Sequence, residues 1–188
     1  GGPRRRHAAA CAAPALQARI TAVYNNDGPG FLPEFYEKEG YKRIRSRIHT
    51  LLPQNTLVGT LLTREKWASI VKSSAIGPAA HDGFTWEVRD ASFVRCPTLS
   101  PGSRAFEETM DRVLATMDQE QRREFIEELF DALAATGAHT VTEMTEQKLN
   151  KALEVAGSFR KGTGTRRFVL EVLRELVKAY TRQRLGVG

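Results

Sequence analysis

The stretch Ile20-Thr-Ala-Val-Tyr-Asn-Asn-Asp-Gly-Pro-Gly-Phe31 limits the fold more than any other part of the chain. Ile20 to Tyr24 is an uncharged run of β-branched and aromatic residues, and it stops at an unbroken series of turn formers, Asn25 to Gly30. Such a run reads as a buried strand feeding a polar loop. In open α/β sheets, ligands and catalytic groups gather beyond the carboxyl ends of the strands, so Asp27 is the first residue to question. As a catalytic or orienting acid it would face a substrate; as an Asx turn it would only cap its own loop.

The flanking sequence fits an α/β arrangement. Residues 7–18 read as a helix of small side chains limited by Pro14,. Leu32 to Leu52 reads as a helix in two pieces broken at Gly40, with Tyr41, Ile44, Ile48 and Leu51 or Leu52 on one face and Lys42, Arg43, Arg45 and Arg47 on the other,. Pro53 would end it. Thr56 to Leu62 then reads as a second buried strand and Trp67 to Ser73 as a third, leading into a loop that carries His81. Phe84, Trp86 and Val88 alternate with polar residues in a half-buried strand pattern, and Asp90 to Ser92 turns the chain back through Phe93,.

Beyond Pro97 and the Ser100-Pro-Gly-Ser103 linker the periodicity becomes helical. Phe106, Met110, Val113, Leu114 and Met117 form one apolar stripe, and Asp118 with Gln121 makes a capping box for the next helix,. Phe125, Ile126, Leu129, Phe130 and Leu133 point inward until Gly137 stops that helix,. Leu149, Leu153 and Ala156 mark a third. Phe168, Val169, Val172, Leu173, Leu176 and Tyr180 mark a fourth, with Thr165 as its N-cap. The expected division is an α/β part over 1–98 and a helical region over 99–188.

With 188 residues, 41% of them hydrophobic, the chain can bury a real core,. No run approaches the ~18–20 apolar residues of a membrane span, and the alanine-rich opening lacks a signal-peptide core, so a cytoplasmic location is the default expectation. Cys11 and Cys96 do not suggest a disulfide framework or a zinc site. The net charge of +6 is unevenly spread: 12 basic and 5 acidic residues over 1–72, 3 and 11 over 107–147, and 10 and 3 over 148–188. Alternating blocks suit internal docking at least as well as an external polyanion.

Among residues that could carry chemistry, His81 has the reach and titration range of a general base, although a loop histidine is often just a surface residue. His7, His49 and His139 lack a metal-like partner and are assigned no chemistry. Ser73 and Ser74 are not in a nucleophile elbow. Arg160-Lys-Gly-Thr-Gly-Thr-Arg-Arg167 lacks Walker spacing and reads as a basic loop,.

Four ordered motifs, Tyr24-Asn-Asn-Asp-Gly-Pro-Gly-Phe31, Leu52-Pro-Gln-Asn-Thr-Leu-Val-Gly59, Val71-Lys-Ser-Ser74 and His81-Asp-Gly-Phe-Thr-Trp86, closely resemble the bacterial Mbeg-like proteins. Those are lipase-like α/β-hydrolases distantly related to class 3 lipases. The resemblance implies a serine nucleophile in a Gly-Gly-His-Ser-Lys-Gly-Gly elbow, a base at His81 and an acid for which Asp27 is the nearest candidate. It calls for an acyl-ester substrate in the full-length family and for no cofactor or metal. Gly1-Gly2 matches the start of the elbow, but Pro3-Arg-Arg-Arg6 follows, with Arg4 at the serine position. Arginine cannot attack an acyl carbon.

The leading expectation is therefore a fragment or degenerate copy of a lipase/esterase-like serine hydrolase, inactive alone. The alternative is a non-catalytic basic module for a polyanion. Against that alternative, exposed aromatics are not interleaved with the basic residues, as nucleic-acid single-strand binders need.

Overall fold

The computed structural model describes residues 2–65, 67–138, 140, 143–158 and 164–185. It is a mixed α/β structure, with a small parallel sheet in the first half and long helices in the second. The expected helix over 7–18 is two: α1 (Gly2–Cys11) and α2 (Pro14–Gln17). Pro14 opens α2 at a position where a missing N–H costs nothing,. The Gln17 amide, buried, donates to the carbonyls of Ala9 and Ala10 at 2.8 and 3.1 Å and so satisfies acceptors at the end of α1,.

β1 (Val23–Asn26) carries the opening motif. The following segment departs from the helical reading of 32–52. Two short helices, α3 (Pro33–Tyr36) and α4 (Glu39–Ile44), lead through a 3-10 turn at Arg45–Arg47 into β2 (Ile48–Pro53). Gly40 does not break a helix; it lies inside α4, where a Cβ would come within 2.0 Å of the Ala10 carbonyl oxygen, so it lets α1 and α4 close on one another. Ile48, Thr50 and Leu52 are buried on alternate positions. Ile48 and Leu52 share a helical spacing with Tyr41 and Ile44, but the β-branched Ile48 and Thr50 and the partner strand decide for extension. Pro53 thus ends a strand.

The stretch 56–62 is not a strand either. The Thr56 hydroxyl accepts the Gly59 N–H at 2.8 Å, and the Thr60 hydroxyl donates to the Leu57 carbonyl at 3.1 Å. These local bonds offer the backbone an alternative to a ladder, and the chain folds into turns. β3 (Ser69–Val71) lies within the expected 67–73 strand. The sheet order is β1-β2-β3, all parallel, with Tyr24 opposite His49 and Leu52 opposite Ile70.

A hairpin of β4 (Val88–Arg89) and β5 (Ser92–Phe93) closes the first half. Asp90 and Ala91, at φ 49° and 57°, form its two-residue turn,. The expected alternation at 84–88 fails at Phe84, which sits in a 3-10 turn over Gly83–Thr85 and is fully exposed. Trp86 alone of that trio is buried.

The helical half follows its sequence pattern closely. α5 (Pro101–Ala115) starts at a Ser100 cap, and all five stripe residues from Phe106 to Met117 are buried. α6 (Gln119–Ala134) has the Asp118–Gln121 capping box with both reciprocal bonds. Gly137, at φ 73°, follows its end,. α7 (Glu146–Ser158) and α8 (Arg166–Leu185) complete the bundle. Thr165 directly precedes α8, where the cap is expected: its carbonyl accepts the Val169 N–H at 3.2 Å, and its hydroxyl donates to Glu128 at 2.9 Å. Phe130, expected inward, is 44% exposed.

The main core joins α5, α6, α7 and α8, and Leu57 from the loop after β2 enters it. A smaller core lies between α1, α3, α4 and the start of the sheet. Arg64 and Glu107, 2.7 Å apart and largely buried, tie the loop after β2 to α5.

Candidate functional site

Asp27 is fully buried at the carboxyl end of β1. Its N–H extends the ladder to the Leu51 carbonyl at 2.8 Å, and its φ of 51° turns the chain out of the strand, a left-handed conformation that aspartate tolerates better than most residues,. The Asx-turn role falls instead to Asn25, whose side-chain oxygen accepts the Gly28 N–H at 3.2 Å. That leaves the Asp27 carboxylate for other partners.

One carboxylate oxygen accepts the Thr56 hydroxyl at 2.5 Å, and the other lies 3.1 Å from His81 Nδ1. Gly59 permits this approach: a Cβ there would come within 2.3 Å of Asp27 Oδ1. Thr56 is itself fixed by the Gly59 N–H, so a short turn, rather than a second charge, orients the acid. Burial pushes the Asp27 carboxyl above the usual carboxylate range, while the bonds from His81 and Thr56 oppose that shift,.

His81 ends a 3-10 turn over Gly77–His81. Trp86 anchors the turn by donating its indole N–H to the Ala80 carbonyl at 2.9 Å. From the far end of the chain, Gln183 on α8 accepts the Gly77 N–H at 2.6 Å. Gly77 has φ 57°, and the Tyr180 ring lies where its Cβ would be. The bond to Asp27 raises the His81 pKa against the opposing effect of burial. With Nδ1 donating to an ionised Asp27, the second ring nitrogen, Nε2, is left as the group able to exchange a proton. About a third of the His81 side chain is exposed.

That exposed face borders a cavity of about 590 Å³. Leu57, Leu61, Leu133, Met144, Leu149 and Leu176 supply apolar wall from both halves of the molecule. Arg5, in the first turns of α1, also lines it. Among the described residues no serine or cysteine does.

The fold brings Asp27 and His81, the two candidates visible in the sequence, together across 54 positions. Thr56 and Gly59 belong to the site although their stretch reads as a strand; the Thr-x-x-Gly spacing of a hydroxyl-capped turn is the signal for them. The remaining candidates stand apart. His7 stacks on Phe35 with its Nε2 3.7 Å from the Cys11 sulfur, and His49 stacks on Tyr24. Ser73 Oγ lies 2.9 Å from the Thr85 hydroxyl and accepts the Ala75 N–H, with no base beside it. His139 and residues 160–163 of the basic loop lie outside the described residues. Among the described residues no group of three His, Cys, Asp or Glu side chains could hold a metal ion, and no helix is long and apolar enough to cross a membrane.

A second polar cluster borders the Asp27 loop. Arg6, 1% exposed, lies over the Phe31 ring at 4.8 Å and donates to the Pro29 carbonyl. Glu65 is also buried, and among the described residues neither of its carboxylate oxygens has a hydrogen-bond partner. Burial pushes its pKa up to about 7, with the charge of Arg6 opposing the shift.

A mixed α/β chain with a buried Asp–His pair at a strand end, facing an apolar cavity, defines the class. The particular family follows from sequence comparison: the chain matches the Mbeg1-like family over residues 1–131 and belongs to it. No curated protein and no solved structure matches the chain.

Proposed function

We propose that Asp27 and His81 are the acid and base of a serine-hydrolase relay in a lipase-like α/β-hydrolase fold, and that the sequence Pro3-Arg-Arg-Arg6 has removed its nucleophile. The observation that carries this reading is the 3.1 Å contact between His81 Nδ1 and a fully buried Asp27, with His81 part-exposed on a cavity. In such a relay the acid fixes the tautomer and orientation of the imidazole, and Nε2 takes the proton of the attacking hydroxyl. The start of α1 borders the same cavity, which is where an elbow leading into that helix would present its serine. The acyl-ester substrate belongs to this reading too.

The chain as it stands should show no His81-dependent ester turnover. Exchange of residues 3–7 for His-Ser-Lys-Gly-Gly should make the introduced serine react with a fluorophosphonate probe, and His81→Ala in that background should abolish the labelling. A restored serine that stays unlabelled at pH 8 in a protein with unchanged circular dichroism would overturn the assignment.

The alternative, a basic module for a polyanion, has less support. Arg43 donates to the Gln17 side chain, and Arg47 donates to the Gln17 and Ile20 carbonyls, so part of the basic face is engaged in holding the chain together.

A further inference from the structure

The charge of the cavity is as informative as its shape. Its wall is mostly apolar, yet the charged or readily charged groups on it among the described residues are Arg5 and His81, both basic. No carboxylate among the described residues lines it: Asp27 lies behind His81, fully buried and engaged by Thr56. Arg5 is exposed and has no ion-pair partner among the described residues. A cavity of this kind offers burial to a carbon chain and a charge-assisted bond to an anionic head.

Two aromatic side chains point the same way. Tyr24 and Phe130 both line the cavity, and they are 57% and 44% exposed in a protein that buries most of its large apolar groups. Phe130 belongs by sequence to the inward stripe of α6, so its exposure follows from the empty space beside it. A chain lying in the cavity would cover both rings and remove their apolar surface from water.

We propose that this cavity binds an amphipathic monocarboxylate, its apolar chain against Leu57, Leu133, Leu149 and Phe130 and its carboxylate paired with Arg5 at the start of α1. A neutral ester would use the apolar wall but leave Arg5 without a partner. The inference rests on the location of the site proposed above, not on hydrolysis there. Arg5 directly follows Arg4, the residue at the serine position, so the segment that removes one chemistry supplies the cation for another.

The test is a pair of titrations of the intact chain, by calorimetry or ligand-observed NMR, with decanoate and with decanol, both below their aggregation limits. Decanoate should bind more tightly than decanol. Arg5→Glu, a substitution at an exposed position, should weaken decanoate by about tenfold or more, the worth of one charge-assisted bond, and leave decanol nearly unchanged. Leu133→Trp, which fills the cavity, should weaken both ligands. The proposal is overturned if decanoate binds no better than decanol, or if Arg5→Glu leaves decanoate binding intact. Arg5-dependent binding by the intact chain, together with an unlabelled serine in the variant exchanged at residues 3–7, would sink only the hydrolase reading. Labelling without carboxylate binding would sink only this one.

Discussion

The two halves of the molecule bury different things. Among the described residues from Arg6 to Ser73, the interior holds a guanidinium, two carboxylates and two side-chain amides besides its hydroxyls; from Ser103 onward its buried polar side chains are hydroxyls alone. The helical half is held by apolar burial and ordinary caps. The sheet half keeps charges out of water, where each ion costs several kcal/mol unless partners compensate, and the compensation is uneven. Asp27 has Thr56 and His81, whereas Glu65 has no hydrogen-bond partner among the described residues for either oxygen. Polar groups retained at such a cost mark where a fold serves a purpose besides cohesion.

The comparison is most easily strained in the helical half. Phe125→Ala removes a completely buried ring from the main core and should lower stability by ~3–5 kcal/mol in a urea titration,. A loss under 1 kcal/mol would mean that apolar packing is not what holds this half. Glu65→Gln should act in the opposite direction. The ordinary carboxyl ionises near 4.5 and the folded one near 7, so as pH rises through that window the unfolded chain releases the proton first and stability falls,. The variant should therefore gain up to ~2–3 kcal/mol over the parent at pH 8 and much less at pH 5, as read from paired melts. Equal gains at both pH values would remove the buried charge from the account. The smallest effect belongs to Asp118→Ala, which deletes the capping box of α6 and should cost ~1 kcal/mol without altering ligand binding,.

The same division governs what could be read from the residues. Stripes such as Phe106, Met110 and Val113 are local periodic signals, and the fold returned them as buried faces. Ile48 to Leu52 was misread because five residues fit a period of 2 and one of 3.6 about equally well, and only pairing with β1 settles the choice,. Asp27 was visible as a carboxylate after a strand and His81 through the resemblance of its motif. Their contact was not legible locally, since it depends on turns that bring the two loops together. Arg6 and Glu65 left no trace at all. Charged side chains belong outside by default, and nothing in their neighbours along the chain announces an exception.

Gly77 carries a consequence that reaches across the molecule. Its N–H is held by Gln183 and its missing side chain makes room for the Tyr180 ring, so the turn that presents His81 is splinted by the last helix. The histidine's aim is thus a property of the chain's far end. A force applied to α8, whether from a binding partner or from a trimmed terminus, acts on the imidazole through two residues more than a hundred positions from Gly77.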